Sequence, residues 1–178
     1  MSMTLTKIRA LAEEYAKKYN PDHVAPFPHE NVLEQHQDLH IHFVELEDKD
    51  VSGVILYKDN EFTILVNIAK PITRQHFTLA HELGHYFLHQ DTVRQEQGIV
   101  DTDDMIEGLS AQYWLDNPGQ VGMLEIEANS FAASLIMPED LVYRAWEATT
   151  DIVACARIFN VSIANMALRL TKLGVLAG

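Results

Sequence analysis

His81 and His85 stand four residues apart in Phe77-Thr78-Leu79-Ala80-His81-Glu82-Leu83-Gly84-His85. On a helix that separation turns about 40° and rises about 6 Å, so both imidazoles leave one face together with the bite of a zinc ion. Glu82 follows the first imidazole at the edge of that face, where its carboxylate can reach a metal-bound water without becoming a ligand. The chemistry such a trio performs is hydrolysis. A zinc ion lowers the pKa of a bound water from about 15.7 to about 7 and polarises a carbonyl, while the carboxylate passes the water's proton to a leaving amine. The resulting oxyanion needs a donor besides the metal, for which Tyr86, Tyr113 or a further histidine are candidates.

The element that must position this trio is a helix buried on nearly every side. Phe77, Leu79, Ala80, Leu83, Phe87 and Leu88 surround most of its circumference, and Pro71 sits near its expected start, where a missing N–H does no harm. Two imidazoles and a carboxylate inside such a helix are costly without partners, and a metal with its water is the simplest set. Gly84 costs about 1 kcal/mol against alanine in mid-helix, and it lies beside the histidine face, where a missing side chain lets another element approach. His89 is eight residues from His81, about 12 Å along the axis, too far for both to hold one ion. It reads as a helix-end residue bonding a carbonyl or the acidic loop that follows, and His76, pointing away from the histidine face, reads as a packing residue.

Composition restricts the other chemistries. The 178 residues are 47% apolar and 22% charged, ordinary for one globular core. Cys155 is the single cysteine, so neither a disulfide framework nor a cysteine-rich zinc site is available, and any zinc must use histidine and carboxylate. The formal net charge of −13 opposes a phosphate backbone and favours a neutral or basic protein partner. The first residues have no uninterrupted apolar stretch, and no later run approaches a membrane span, so the expected location is the cytoplasm, with no membrane partner.

Along the chain, Leu5, Ile8, Leu11, Ala12, Tyr15 and Tyr19 recur at helical spacing up to Asn20-Pro21. Leu39, Ile41 and Phe43 alternate with the solvent-facing His40 and His42 as a half-buried strand does. Val54–Tyr57 and Phe62–Val66 flank Lys58-Asp59-Asn60-Glu61, a hairpin turn. Phe62–Val66, if at a sheet edge, would accept an extended substrate as an added strand. Residues 90–123 read as an acidic, irregular connection with a short helix around Ile106–Leu115.

Leu124, Ala128, Phe131, Ala132 and Leu135 then form the stripe of a second buried helix that stops before Pro138. Glu125 and Glu127 sit on opposite edges of that stripe, and spacing does not choose between them as the third metal ligand.

The sequence Phe77–His85, followed some forty residues later by Glu-Ala-Asn-x-Phe-Ala-Ala-x-Leu-Ile-Met-Pro, resembles the ImmA/IrrE family of zinc metallopeptidases. The resemblance implies His81, His85 and Glu127 as ligands of one zinc ion, with manganese as the alternative ion, and Glu82 as the base. A metzincin, by contrast, would need glycine and histidine where this chain has Leu88 and Asp91. The implied fold is α+β: a small three-stranded antiparallel sheet on a zincin-like pair of active-site helices in residues 1–138. A helical segment, 139–178, is expected to pack on that domain without being independent.

That segment reads as helices at Leu141–Trp146, Ile152–Phe159 and Ile163–Leu173, with a helix-turn-helix-like phrase at Ala156–Ser162. Its four acidic and four basic residues balance, and only Arg169 and Lys172 would face nucleic acid, so a packing or partner-docking role is expected. By resemblance the chain would cleave a helix-turn-helix transcriptional repressor encoded nearby and so relieve repression. The alternative is a metal-dependent binding regulator, or a component of a toxin module, that acts without proteolysis.

Overall fold

The sheet grows outward from one hairpin. In the computed structural model, which describes residues 3–106 and 120–176, β2 (Val51–Lys58) and β3 (Glu61–Asn67) pair antiparallel with Lys58 opposite Glu61. Asp59 and Asn60 between them have φ of 54° and 66°. A two-residue turn matching the twist of its strands needs positive φ at both positions, which Asp and Asn adopt more readily than most residues. β1 (Leu39–Val44) joins the other side of β3 in parallel, Leu39 opposite Phe62. β4 (Gly98–Thr102) pairs antiparallel with the free side of β2. The order is β1-β3-β2-β4.

This mixed four-stranded sheet corrects the expected three-stranded antiparallel one, while the α+β class stands. The hairpin fixes β2 against β3, so β1, running in the direction of β3, takes its remaining side. β4 was hidden because its five residues hold only Ile99 and Val100 as large apolar groups, too few to show alternation. β3 is interior, so it is not the edge expected to accept a substrate strand; β1 and β4 are the outer strands.

α1 (Leu5–Tyr19) is capped by Thr4, whose side chain accepts from the Lys7 N–H, and α2 (Glu30–Leu33) is a single turn. α3 (Ile72–Leu88) lies on the sheet's inner face, where Ile55, Phe62, Ile64 and Val66 share one core with Phe77, Leu79 and Leu83. α4 (Gln90–Glu96) and α5 (Asp103–Ile106) flank β4 within the segment expected to be irregular. Most of the helix expected at 106–115 lies outside the described residues.

α6 (Gln120–Ile136) packs along α3, and α1 packs on α6. The crossing is closest at Gly84: a Cβ there would lie 3.0 Å from the Ala128 Cα and 3.1 Å from its carbonyl oxygen. This is the close approach that the mid-helix glycine suggested.

α7 (Glu139–Thr149), α8 (Ile152–Phe159) and α9 (Ile163–Lys172) follow Pro138. The chain turns through 105° between α8 and α9, within the range of helix-turn-helix pairs. Arg169, however, is buried and directed inward. It donates to the Met137 carbonyl at 2.9 Å, to Ser134 Oγ at 3.3 Å and to Glu13 Oε1 at 2.6 Å. One of the two α9 cations considered for nucleic acid therefore fastens this segment to α6 and α1. Among the described residues, no single helix is long and apolar enough to cross a membrane.

Candidate metal centre

Helical spacing places His81 and His85 on one face of α3, and both are fully buried. Their Nε2 atoms lie 3.1 Å apart. Glu125 from α6 enters the same space, 3.1 Å from His81 Nε2 and 3.5 Å from His85 Nε2. Asp101 from β4 completes it at 3.5 Å and 3.6 Å from the same nitrogens. One donor atom from each of the four can be chosen so that all lie within 4.8 Å of one another.

These separations fit an ion. A tetrahedral site with metal–donor bonds of about 2.0–2.1 Å has donor–donor edges of about 3.3 Å. Moreover, among the described residues no side-chain oxygen of Asp101 or Glu125 has a hydrogen-bond partner of ordinary geometry, although all are buried. Four buried, unpartnered carboxylate oxygens facing two imidazole nitrogens are a set of acceptors that lacks a positive centre.

The outer nitrogens of both rings are held. Asn129 Nδ2 donates to the Met105 carbonyl at 2.7 Å, which turns its Oδ1 toward His81 Nδ1 at 3.0 Å. His81 Nδ1–H therefore donates outward, which leaves Nε2 as the nitrogen turned toward the carboxylates and available to a metal. His85 Nδ1 meets His89 Nδ1 at 2.9 Å, and His89 Nε2 meets Glu127 Oε2 at 2.9 Å.

Glu82 lies against the sheet at Gly53, which stands opposite Asp101 in the β2–β4 ladder. A Cβ on Gly53 would fall 2.3 Å from Glu82 Oε1, so the glycine is what admits this carboxylate. Both Glu82 oxygens are buried and lack hydrogen-bond partners among the described residues.

Without an ion, the charges sort themselves by burial and neighbours. Burial raises the Glu82 carboxyl well above the usual range, and the Asp101 charge adds to this while His81 opposes it. Burial alone would depress His81, but Asp101 and Glu125 hold it well above the ordinary histidine value. Burial likewise works to raise Glu125, yet His81 and His85 pull it far below the carboxylate range. Burial and the neighbouring His85 push His89 down to about 4, against the pull of Glu127. A metal would replace the protons that these groups now share.

The structure brings together His81, His85 and Glu82, and it separates the two glutamates of α6. Glu125 joins the histidines, whereas Glu127, expected from the resemblance as third ligand, lies against His89. The rotation of α6 decides this. Ala128 must face Gly84; Glu125, one turn earlier, and Asn129 then lie on the side of Ala128 toward the histidines, while Glu127 lies about 100° round on its other side. The i, i+4 pair Glu125/Asn129 around a small Ala128 was the signal available in the sequence.

Asp101 has no signal in the sequence, because an aspartate in an acidic stretch carries no mark of its own, and the signal at Gly53 is an isolated glycine within a strand, which marks a close approach. The Tyr86 hydroxyl donates to Asp38 Oδ1 at 3.0 Å and meets His36 at 3.0 Å, which commits it away from the oxyanion role considered for it. Tyr113 lies outside the described residues. His76 packs on His29 and meets the Asn160 carbonyl, as a packing residue would.

Residues 34–114 match the family described as the IrrE N-terminal-like domain, a peptidase family. A stretch of 86 residues is 35% identical to the radiation response metalloprotease IrrE of Deinococcus deserti, covering 48% of this chain and 26% of that relative. The match thus spans about a quarter of the relative's length. Residues 34–114 include His81, Glu82, His85 and Asp101 but end before α6. Over these residues the chain is similar to the IrrE N-terminal-like peptidase domain and to a metalloprotease that carries it.

Proposed function

We propose that the chain is a zinc-dependent metalloendopeptidase acting on a protein partner in the cytoplasm. The observation that carries this reading is the buried convergence of His81, His85, Asp101 and Glu125 on one point, with the buried Glu82 carboxylate, which has no hydrogen-bond partner among the described residues, on the helix that supplies both imidazoles. We assign the metal to His81 Nε2, His85 Nε2 and Glu125, with Asp101 as a fourth donor, and keep manganese as the alternative ion. When bound, the ion supplies Lewis acidity to water and to the scissile carbonyl.

The chain's own residues supply the rest. Glu82 takes a proton from the attacking water and returns it to the leaving amine. Burial and Asp101 raise its affinity for protons above that of an exposed glutamate, which suits a group that must take up a proton before handing it on. Asn129 fixes the direction of His81. β4, an outer strand that carries Asp101, is the sheet edge nearest these groups and the natural place for an extended segment to add. Residues 1–138 form the catalytic unit in this reading, and 139–178 pack on it.

We take the substrate to be a helix-turn-helix transcriptional repressor, in line with the family resemblance. The negative net charge suits a basic DNA-binding partner, and Arg169 is engaged internally rather than offered to nucleic acid.

A second reading is favoured by the donor count. Four protein donors fill a tetrahedral ion, as in structural sites, whereas a catalytic ion needs a position for water. A metal-dependent regulator that binds its partner without cutting it is consistent with that closure. Glu82→Gln separates the two. If the chain is a peptidase, the variant keeps its metal and loses repressor cleavage by about 10²-fold to 10⁴-fold, measured with the purified repressor. Unchanged relief of repression by Glu82→Gln in cells would favour the binding regulator.

A further inference from the structure

We infer that Glu127 and His89 form a positioning relay that fixes which nitrogen of His85 faces the metal. This rests on the proposed site, because it concerns how one of that site's ligands is prepared. Glu127, His89 and His85 form a continuous buried chain with two contacts of 2.9 Å, from Glu127 Oε2 to His89 Nε2 and from His89 Nδ1 to His85 Nδ1.

The direction of the chain follows from what each atom can do. A carboxylate only accepts, so His89 Nε2–H donates to Glu127. A neutral imidazole has one N–H, so His89 Nδ1 is an acceptor. His85 Nδ1–H therefore donates to it, and the remaining lone pair of His85 is on Nε2, the atom that faces Glu125 and Asp101. On the neighbouring ligand, Asn129 sets His81 in the same sense. The two ligands are thus oriented by unrelated devices, an amide held by a backbone carbonyl and a carboxylate acting through a second imidazole. Glu127 is a positioning residue in this arrangement and does not touch the ion. Its place on α6 two residues after Glu125 lets one helix supply both a ligand and the support of another ligand.

The test compares wild type, Glu127→Gln and Glu125→Gln in the whole chain. Zinc affinity is measured by competition with a chelating dye, and the ring nitrogens of His85 are observed by nitrogen-15 NMR in both the metal-free and the zinc-loaded protein. Glutamine at 127 keeps the shape but offers either a donor or an acceptor, so it no longer enforces one tautomer. The expected result is that wild-type His85 carries its proton on Nδ1, and that in Glu127→Gln this signature is mixed and zinc binds about 10-fold to 100-fold more weakly. Glu125→Gln loses stoichiometric zinc.

An unchanged His85 signature together with unchanged affinity in Glu127→Gln would overturn the relay. So would stoichiometric zinc lost in Glu127→Gln and kept in Glu125→Gln, since Glu127 would then be the ligand itself. The metal-free wild-type spectrum decides the relay independently of how either variant folds, because a His85 Nδ1 that carries no proton overturns it. If the wild type binds no zinc while His85 is protonated on Nδ1, the metal reading fails and the relay stands.

Discussion

α3 carries two kinds of buried histidine within one and a half turns. His76 packs edge-on against His29, with ring centroids 4.8 Å apart, and neither nitrogen of His29 has a hydrogen-bond partner among the described residues. His81, five residues on, packs against His85 at the same 4.8 Å, but two carboxylates face that pair. Burial, and then the proximity of His76, drive His29 well below the ordinary histidine value. Burial acts on His81 in the same direction, and Asp101 and Glu125 reverse it. Two imidazoles at helical or packing distance are therefore not a cation site. What makes one is acceptor oxygen brought from other elements, here from β4 and α6.

The strongest way to break this comparison is to remove the oxygen. Glu125→Ala should take bound zinc from about one ion per chain to near none by elemental analysis, because only Asp101 then faces the two imidazoles and the site moves toward the His29/His76 case. Stoichiometric zinc in Glu125→Ala would mean that Glu125 is dispensable and that the comparison is drawn on the wrong atoms. Next in size is Gly53→Ala, which drives a methyl group to within 2.3 Å of where Glu82 Oε1 now lies. It should lower cleavage by on the order of 10²-fold with zinc content unchanged, since a base displaced by about 1 Å costs about that much. Full activity in Gly53→Ala would show that the Glu82 position seen here is not the working one.

The smallest effect is on stability at acid pH and concerns the other pair. The folded state depresses His29 below its unfolded value of about 6.5. Above that pH the residue is neutral in both states and contributes no slope. As pH falls below it, the unfolded chain takes up a proton that the folded chain refuses, so stability is lost by up to about 1.4 kcal/mol per pH unit until the folded value is reached. His29→Leu should therefore flatten the pH dependence of the urea midpoint between about pH 6.5 and pH 5 relative to wild type. An unchanged slope would mean that His29 reaches water in the folded state.

Elements and catalytic spacing were legible in the sequence to different depths. α1, α3, the hairpin and the C-terminal helices follow from periodicity, turn residues and proline positions, all of which act over a few residues. The expectation that Gly84 marks a close approach also held, with Ala128 as the residue that approaches. The parallel pairing of β1 with β3 was not legible, because the apolar alternation of a short strand is the same whichever neighbour it finds. β4 was lost for a related reason: its role comes from the position of Asp101 opposite Gly53, not from its composition.

The sequence by itself determined that His81, Glu82 and His85 share one buried helix, since a 3.6-residue period is a local property and a spacing of four is enough to align two rings. It also excluded a cysteine-based site, because only Cys155 is present, and that cysteine is buried in the C-terminal helical segment. The tertiary structure alone decided which acids meet the histidines. Glu125 faces them and Glu127 does not because Ala128 has to fit over Gly84, which sets the rotation of α6. Asp101 reaches them because the free side of β2 takes a strand from the acidic stretch. Both outcomes depend on packing between residues distant in the chain, which no periodicity within either segment encodes.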